Sequence, residues 1–440
     1  MWRRVPGLIP FADTLIPISR GMIDVDGTLY DARTNSVVTV TAGAVVTPLT
    51  GTLNGTDPVT WEHNNAEPTH DLVAVCDAGT FLITSTAVSL YPSLAVPAVF
   101  NSVDFLDGYF LFTTGDGRIF ASGVNDIWVD DTDHTQNALA FTTADQAGSL
   151  VRGTVWAEQY FAWGTKACTV YQNAATSPFP LSRLTIIPVG LASATAICGF
   201  EPGWSLTQYF VATDNTVQRM NGTTPETVSN KDVERAITAQ ADKTQIHMSC
   251  YVIGGRPTIV VKGPNFTWEM NAVTGYWNER QSPNLPNWRA VNSVYFNNKW
   301  LVGDTVTTQI LQLVSTTFSE VETSYMMRLE SGPVKQYPNR LRCKMASFDW
   351  TTGQGTIGGT EDSMHPEMSI SSSIDGGGTW STPIIRRTLG GQGDYQRMIR
   401  INRIGGITTQ HGIRFRLDVS SPVYETFRGG RCDVDLLGPP

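Results

Sequence analysis

Charge is what this 440-residue chain has least of. Only 16% of its residues are Asp, Glu, Lys or Arg, and lysine is scarce. The net charge is −9, and it is unevenly placed: residues 325–440 carry fourteen Lys/Arg against eleven Asp/Glu, leaving seventeen against twenty-nine in residues 1–324. An acidic body of this kind excludes a protein that grips a polyanion by neutralising phosphates, because that grip scales with the number of basic contacts. It leaves room for a protein past which a polyanion slides.

Other absences narrow the field. The six cysteines (Cys76, Cys168, Cys198, Cys250, Cys343, Cys432) show no CxxC or other ligand spacing, so neither a zinc site nor a disulfide framework is expected, and buried reduced thiols are. No run of eighteen apolar residues occurs, so no membrane span is expected. The start, Met1-Trp2-Arg3-Arg4, continues into an apolar stretch broken by Pro6, Pro10 and Asp13, without a continuous hydrophobic region or a cleavage site, and synthesis and folding in a cytoplasm are expected. The six histidines (His63, His70, His134, His247, His365, His411) form no HxH or HExxH, and there is no GxSxG, no P-loop and no GxGxxG leading into a helix. No catalytic, cofactor-binding or metal residue is therefore assigned, no cofactor is expected, and the chain is read as not an enzyme.

What is present is strand and turn. Val37 to Thr41, Leu72 to Val75, Phe81 to Thr84, Tyr209 to Ala212, Thr258 to Val261 and Lys299 to Val302 are β-branched and aromatic runs punctuated by Gly, Asn, Asp and Pro. One short helix is expected, around Lys231 to Ala239. Seven times an apolar strand meets a two-residue turn and a second strand: at Asp26-Gly27, Ala78-Gly79, Asp107-Gly108, Glu158-Gln159, Thr207-Gln208, Gly254-Gly255 and Asn297-Asn298. Counted from the second residue of each pair, the steps are about 52, 29, 51, 49, 47 and 43 residues, near the period of propeller blades. Later hairpins such as Arg118 to Ala121 and Phe266 to Met270 supply a second pair of strands per repeat. The expected fold is all-β: a six- or seven-bladed β-propeller over residues 21–324, with residues 1–20 as an N-terminal arm or closing strand. A β-sandwich is the structural alternative. Beyond about Glu320, alternating strands such as Arg414-Phe415-Arg416-Leu417-Asp418-Val419 predict a separate small C-terminal β-domain, sandwich-like, over 325–440.

Three motifs invite chemistry. Ser373-Ile374-Asp375-Gly376-Gly377-Gly378-Thr379-Trp380 fits the Asp-box of sialidases and other propellers; the plain reading is a stable turn, the chemical one glycan handling. Asp130-Asp131-Thr132-Asp133-His134-Thr135 and Asp24-Val25-Asp26-Gly27 look like calcium ligands but lack the twelve-residue loop with its closing Glu. Arg386-Arg387, Arg397, Arg400 and Arg403 form the densest basic stretch, facing solvent, DNA or an acidic neighbouring subunit.

The ordered set of Phe105 to Phe112, the hairpin from Trp156 to Tyr171, Ser371 to Trp380, Gly393-Asp394-Tyr395 and Arg414 to Val423 resembles the packaged-DNA stabilisation proteins of short-tailed bacteriophages, also called tail hub, tail tube or nozzle proteins. The resemblance spans roughly residues 16–440. It implies a virion component of the tail: a homohexamer below the portal and its adaptor (the head-to-tail connector), which holds the packaged genome and forms the channel for its ejection. The partners it implies are further copies of the chain, the portal-adaptor, tail fibre, spike or needle proteins, and double-stranded DNA passing without sequence-specific binding. An acidic channel wall would repel phosphate and let DNA slide. The alternative is a glycan-binding or glycan-cleaving propeller of a phage adhesin.

Overall fold

The structure, a computed structural model, describes residues 2–91, 100–127, 149–176, 179–402, 404 and 406–439. The chain divides into two compact units, Pro10–Leu313 and Met1–Ile9 with Val314–Pro440.

The larger unit is a succession of antiparallel sheets, each made from consecutive strands. The first comprises Ser19–Val25, Thr28–Arg33, Ser36–Val40 and Val46–Pro48, and the second Thr60–His63, Leu72–Cys76, Gly79–Ile83 and Val88–Leu90. The third shows three strands among the described residues, Phe100–Leu106, Tyr109–Thr114 and Ile119–Ala121. Leu150–Trp156 opens the fourth, Ile197–Cys198 the fifth, His247–Ile253 the sixth and Ala290–Phe296 the seventh. The seventh continues through Lys299–Asp304 and Gln309–Val314 to Gly7–Asp13, so a strand from the chain's beginning lies beside the last strand of the series.

Middle strands of these sheets read as unbroken apolar runs because both of their faces are covered. Tyr160, Phe161, Ala162 and Trp163 are all fully buried, as are Phe110, Leu111 and Phe112. The neighbours that cover them are the adjacent sheets. Ala32, Leu53 and Trp61 share a core with Ala74 and Phe81, and Val73 and Val75 share the next with Phe110 and Phe112. Leu111 and Ile119 pack with Tyr160 and Tyr171. Trp163 meets Phe210 at 4.6 Å between ring centroids, Met248 N donates to Thr195 O, and Ser293 Oγ donates to Cys250 O at 2.7 Å. Leu29, Val38 and Val40 of the first sheet pack with Val294, Phe296 and Leu301 of the seventh. Arg33, fully buried, holds that same junction: its guanidinium meets Asp31 at 2.6 Å and donates to Ile16 O, Thr308 O and Gln309 O.

The two-residue turns hold at most repeats. Asp26-Gly27, Asp107-Gly108, Gly254-Gly255 and Asn297-Asn298 all have positive φ at both positions, which matches the right-handed twist of the flanking strands. The expected turns at Ala78-Gly79 and Glu158-Gln159 each fall one residue earlier, at Asp77-Ala78 and Ala157-Glu158, since Cys76 pairs with Gly79 and Trp156 with Gln159. Moreover, Asp77-Ala78 joins the second and third strands of its sheet. The first hairpin there runs from His63 to Leu72 through a long loop closed by buried Asn64, whose side chain donates to Asp71 at 2.8 Å. This explains the uneven steps of 52 and 29. Thr207-Gln208 likewise ends a long connection between Cys198 and Tyr209 and forms no two-residue turn.

Ala157 and Glu158 place side chains where φ is 50° and 58°. L-residues other than Gly, Asn and Asp pay about 1 kcal/mol there. Glu158→Gly is expected to stabilise the protein by about 0.5–1 kcal/mol, read as a higher denaturation midpoint; an unchanged or lower midpoint would show that the turn carries no strain.

The expected helix is Lys231–Ala239. Asn230 caps it by accepting from the backbone N–H groups of Asp232 and Val233, and Val233 and Ile237, one turn apart, are its buried residues.

The smaller unit holds two four-stranded sheets. One runs Trp2–Arg3, Thr426–Leu436, Leu341–Trp350, Ile399–Asn402, and the other Met327–Glu330, Arg414–Val419, Glu367–Ser373, Ile384–Thr388. Alternate residues of Arg414–Val419 are buried, and Phe415, Leu417 and Val419 share one core with Phe348, Trp350, Met368 and Ile370. The chain start is part of this unit: Trp2 pairs with Phe427 and Arg3 with Thr426.

Candidate functional site

The opening strands of all seven sheets in the Pro10–Leu313 unit line a cavity of about 1150 Å³. That is at or above the usual upper range of small-molecule sites, about 300–1,000 Å³. Its charged lining consists of six carboxylates (Asp24, Asp57, Glu62, Asp77, Glu201, Asp242) against three cations (Arg20, Arg152, Lys262), with His63 and His247.

Most of these charges are held by the wall itself. Arg20 donates to Asp57 O at 2.8 Å, Thr34 O at 2.8 Å and Leu53 O at 3.0 Å, which fixes the connection between the first two sheets. Arg152 donates to Ala194 O at 2.9 Å, and its guanidinium lies 4.7 Å from the centre of the Phe200 ring. Glu201 accepts from Gly199 N at 2.6 Å and from the Cys250 thiol at 3.2 Å. Burial raises the Glu201 carboxyl, with those donors and Arg152 opposing it.

Glu62 and its neighbour Asp104 form the most displaced pair. Burial, reinforced by the charge of Asp104, pushes the Glu62 carboxyl up to about 8. Burial also lifts Asp104 to about 6, against backbone N–H groups of Phe105 and Val155, each at 2.8 Å, and the Arg152 charge. At neutral pH Glu62 therefore carries a proton while Asp104 is ionised beside Arg152. Elsewhere in the lining burial lowers Lys262 to about 8 and His247 to about 4, Lys262 adding to the latter. His247 is neutral there, so the cavity keeps an excess of negative charge. It disfavours a phosphate backbone.

Sequence reasoning assigned no residue to this cavity. A signal existed, a carboxylate inside an otherwise apolar opening strand (Trp61-Glu62-His63, Val103-Asp104-Phe105), but nothing local says that these strands converge.

The motifs singled out in the sequence resolve into local structure. In the Asp-box, the Ser373 hydroxyl and Asp375 Oδ1 lie 2.7 Å apart, Gly377 N donates to Ser373 Oγ, and Thr379 N and Oγ1 donate to the Asp375 carboxylate at 2.9 and 2.7 Å. These bonds, that of Ser373 first, hold the Asp375 carboxyl well below the usual carboxylate range. Both oxygens thus serve the turn, where Gly376 and Gly377 have φ of 78° and 112°. Trp380 lies 4.1 Å from the Arg416 guanidinium. Asp24 to Gly27 forms a hairpin, with Asp26 Oδ2 3.0 Å from His70 Nδ1 and His70 stacked on His63 at 5.1 Å. No group of three or more His, Cys, Asp or Glu suited to a metal occurs among the described residues. The Asp130 to Thr135 run lies outside them, as does Arg403. The basic stretch is divided: Arg397 pairs with Asp394, and Arg400 donates to Asn402 at 2.9 Å. Among the described residues no helix is long and apolar enough to cross a membrane.

No curated protein matches the sequence. Among solved structures, BBS1N from its complex with ARL6DN is similar at 11% identity, covering 71% of this chain and 95% of its own, with a TM-score of 0.43. The WD40 β-propeller domain of Doa1 gives 10% identity, coverage of 71% and 96%, and a TM-score of 0.39. The computationally designed Ika8 protein gives 8%, coverage of 71% and 100%, and 0.38. The decisive match is that of residues 1–318 to the family model described as bacteriophage P22 Gp10, β-propeller, and the chain belongs to that family, the phage packaged-DNA stabilisation proteins.

Proposed function

We propose that the protein is a non-enzymatic tail component that assembles as a ring of six copies below the portal-adaptor, retains the packaged genome and surrounds the path of its ejection. Its family supplies the coarser part, a structural protein of the phage particle that retains DNA. In this arrangement the seven sheets are seven blades, closed where Gly7–Asp13 lies beside Gln309–Val314 and where Arg33 joins the first sheet to Thr308 and Gln309.

The observation that carries the ring is the cavity. At about 1150 Å³, with acidic side chains outnumbering cations in its lining even when Glu62 is protonated, it has the scale of a small molecule and the wrong sign for a polyanion. A duplex held by this protein therefore runs between copies, along a wall made by their sides. With residues 1–324 carrying twenty-nine acidic against seventeen basic side chains, that wall gives DNA little to adhere to.

Mass measurement and electron images of the purified protein, alone and with its adaptor, test the assembly. Sixfold rings are expected in at least one condition, and a monomer in both would overturn the proposal. The same preparation is expected to leave duplex DNA unshifted in a mobility assay at about 0.15 M salt. A salt-sensitive shift under those conditions would contradict the non-adhesive wall.

A further inference from the structure

The unit formed by Met1–Ile9 and Val314–Pro440 contains two thiols far closer than their sequence spacing suggests. Cys343 lies on Leu341–Trp350 and is 2% exposed; Cys432 lies on the neighbouring strand, Thr426–Leu436, and is half-buried. Cys343 pairs with Val434, whereas Cys432 pairs with Ala346. They are diagonal neighbours on one face, and diagonal neighbours in a regular ladder lie about 7–8 Å apart, beyond the usual reach of a disulfide. The ladder is not regular here. It shifts between Cys343 and Met345, with Lys344 as the extra residue, and such a bulge bends its strand and re-aims the side chains beside it. The two sulfurs are consequently 2.7 Å apart, inside van der Waals contact and roughly 0.7 Å beyond the bonded separation of about 2.05 Å.

We propose that Cys343 and Cys432 are a built-in oxidation site: two thiols under reducing conditions, joined as a disulfide when a small peroxide reaches them. Contact with the Cys432 thiol lowers the Cys343 pKa, so Cys343 supplies the thiolate. Its sulfur attacks one oxygen of hydrogen peroxide; the S–O bond forms, the O–O bond breaks, and the departing hydroxide takes up a proton as water. The Cys432 sulfur then attacks the Cys343 sulfenic acid. The S–S bond forms, the S–O bond breaks, and the hydroxide leaves with the Cys432 proton as a second water. In sum, two thiols and one peroxide give one disulfide and two waters. The bond would tie the strand that holds Trp2–Arg3 to the centre of its sheet.

The molecule contains its own control. Cys198 and Cys250 also interact, but both are fully buried and the Cys250 thiol donates to Glu201 at 3.2 Å, whereas half-buried Cys432 opens its own pair to solvent, so a peroxide reaches Cys343 beside it and not Cys198 or Cys250.

The test uses the full chain, purified under reductant, desalted and treated with a slight excess of hydrogen peroxide. Thiol titration after denaturation is expected to fall from six to four, with one cross-linked peptide joining Cys343 to Cys432 in a non-reducing digest. Cys343→Ser and Cys432→Ser are each expected to form no internal cross-link. Oxidation is expected to raise the melting temperature of the wild type by about 5–10 °C and to leave that of Cys343→Ser unchanged. Six titratable thiols after treatment, a Cys198–Cys250 cross-link in its place, or equal melting of the wild type with and without reductant would each overturn the proposal.

Discussion

Replacing Arg4 by alanine is expected to destabilise the protein by about 3–5 kcal/mol, whereas Glu425→Gln changes stability by about 1 kcal/mol or less. Arg4 is 5% exposed. Its guanidinium donates to Ser421 O and Tyr325 O, lies 4.8 Å from the Tyr325 ring centre, and comes within 4.0 Å of the Glu425 carboxylate. Glu425 is fully buried, and burial pushes its carboxyl up to about 8 against the pull of Arg4. At neutral pH it is largely protonated, so an amide of the same shape replaces it at little cost. Arg4 has no such substitute. Its loss strands two backbone carbonyls, opens a cavity under Tyr325 and detaches the strand Trp2–Arg3. Chemical denaturation of the three proteins at pH 7 provides the comparison; equal losses for both variants would mean that Glu425 is ionised and that an ion pair, not a buried cation held by carbonyls, fastens the chain start.

A second large effect concerns pH. Glu62 has a folded-state pKa of about 8 against an ordinary 4.5, so between those values the native protein holds a proton that the unfolded chain has released. The sign follows: the contribution is complete below about pH 4.5 and is lost as pH rises through 8. Asp104, raised to about 6, adds a loss in the same direction at lower pH. The wild type is therefore expected to lose about 4 kcal/mol between pH 5 and pH 9 that Glu62→Gln does not lose. The variant matches the wild type at pH 5 and exceeds it at pH 9. Glu425 produces a similar drift shared by both proteins, which is why the difference between them is the quantity to measure. Parallel curves across that range would place an ordinary, solvated carboxylate at position 62.

The parts of this fold that the sequence makes legible are those set by neighbours along the chain. Asp-Gly, Gly-Gly and Asn-Asn pairs between apolar strands mark four hairpins because positive φ at both turn positions selects those residues. Lys231–Ala239 shows itself through its asparagine cap and the Val233/Ile237 spacing. The hairpins that escape lie where a long loop replaces the short turn, as between His63 and Leu72, or between Cys198 and Tyr209. Long-range pairing escapes altogether. Arg4 finds its partners at Tyr325, Ser421 and Glu425, and nothing in Arg3-Arg4-Val5 announces them. The buried carboxyls are hidden for the same reason: Glu62 and Glu201 line the cavity and Asp104 lies beside Glu62, on three separate stretches of chain, and only their packing in the fold gives them unusual acidity.

The strand Gly7–Asp13 is made some three hundred residues before its sheet partner Gln309–Val314. At a synthesis rate of about 5–20 residues per second, its hydrogen-bonding edge waits roughly 15–60 s for that partner. A chain that stops before Gln309–Val314 leaves that edge unpaired and open to any other chain nearby. That interval is a kinetic window in which the nascent chain can pair with a neighbour instead of with itself.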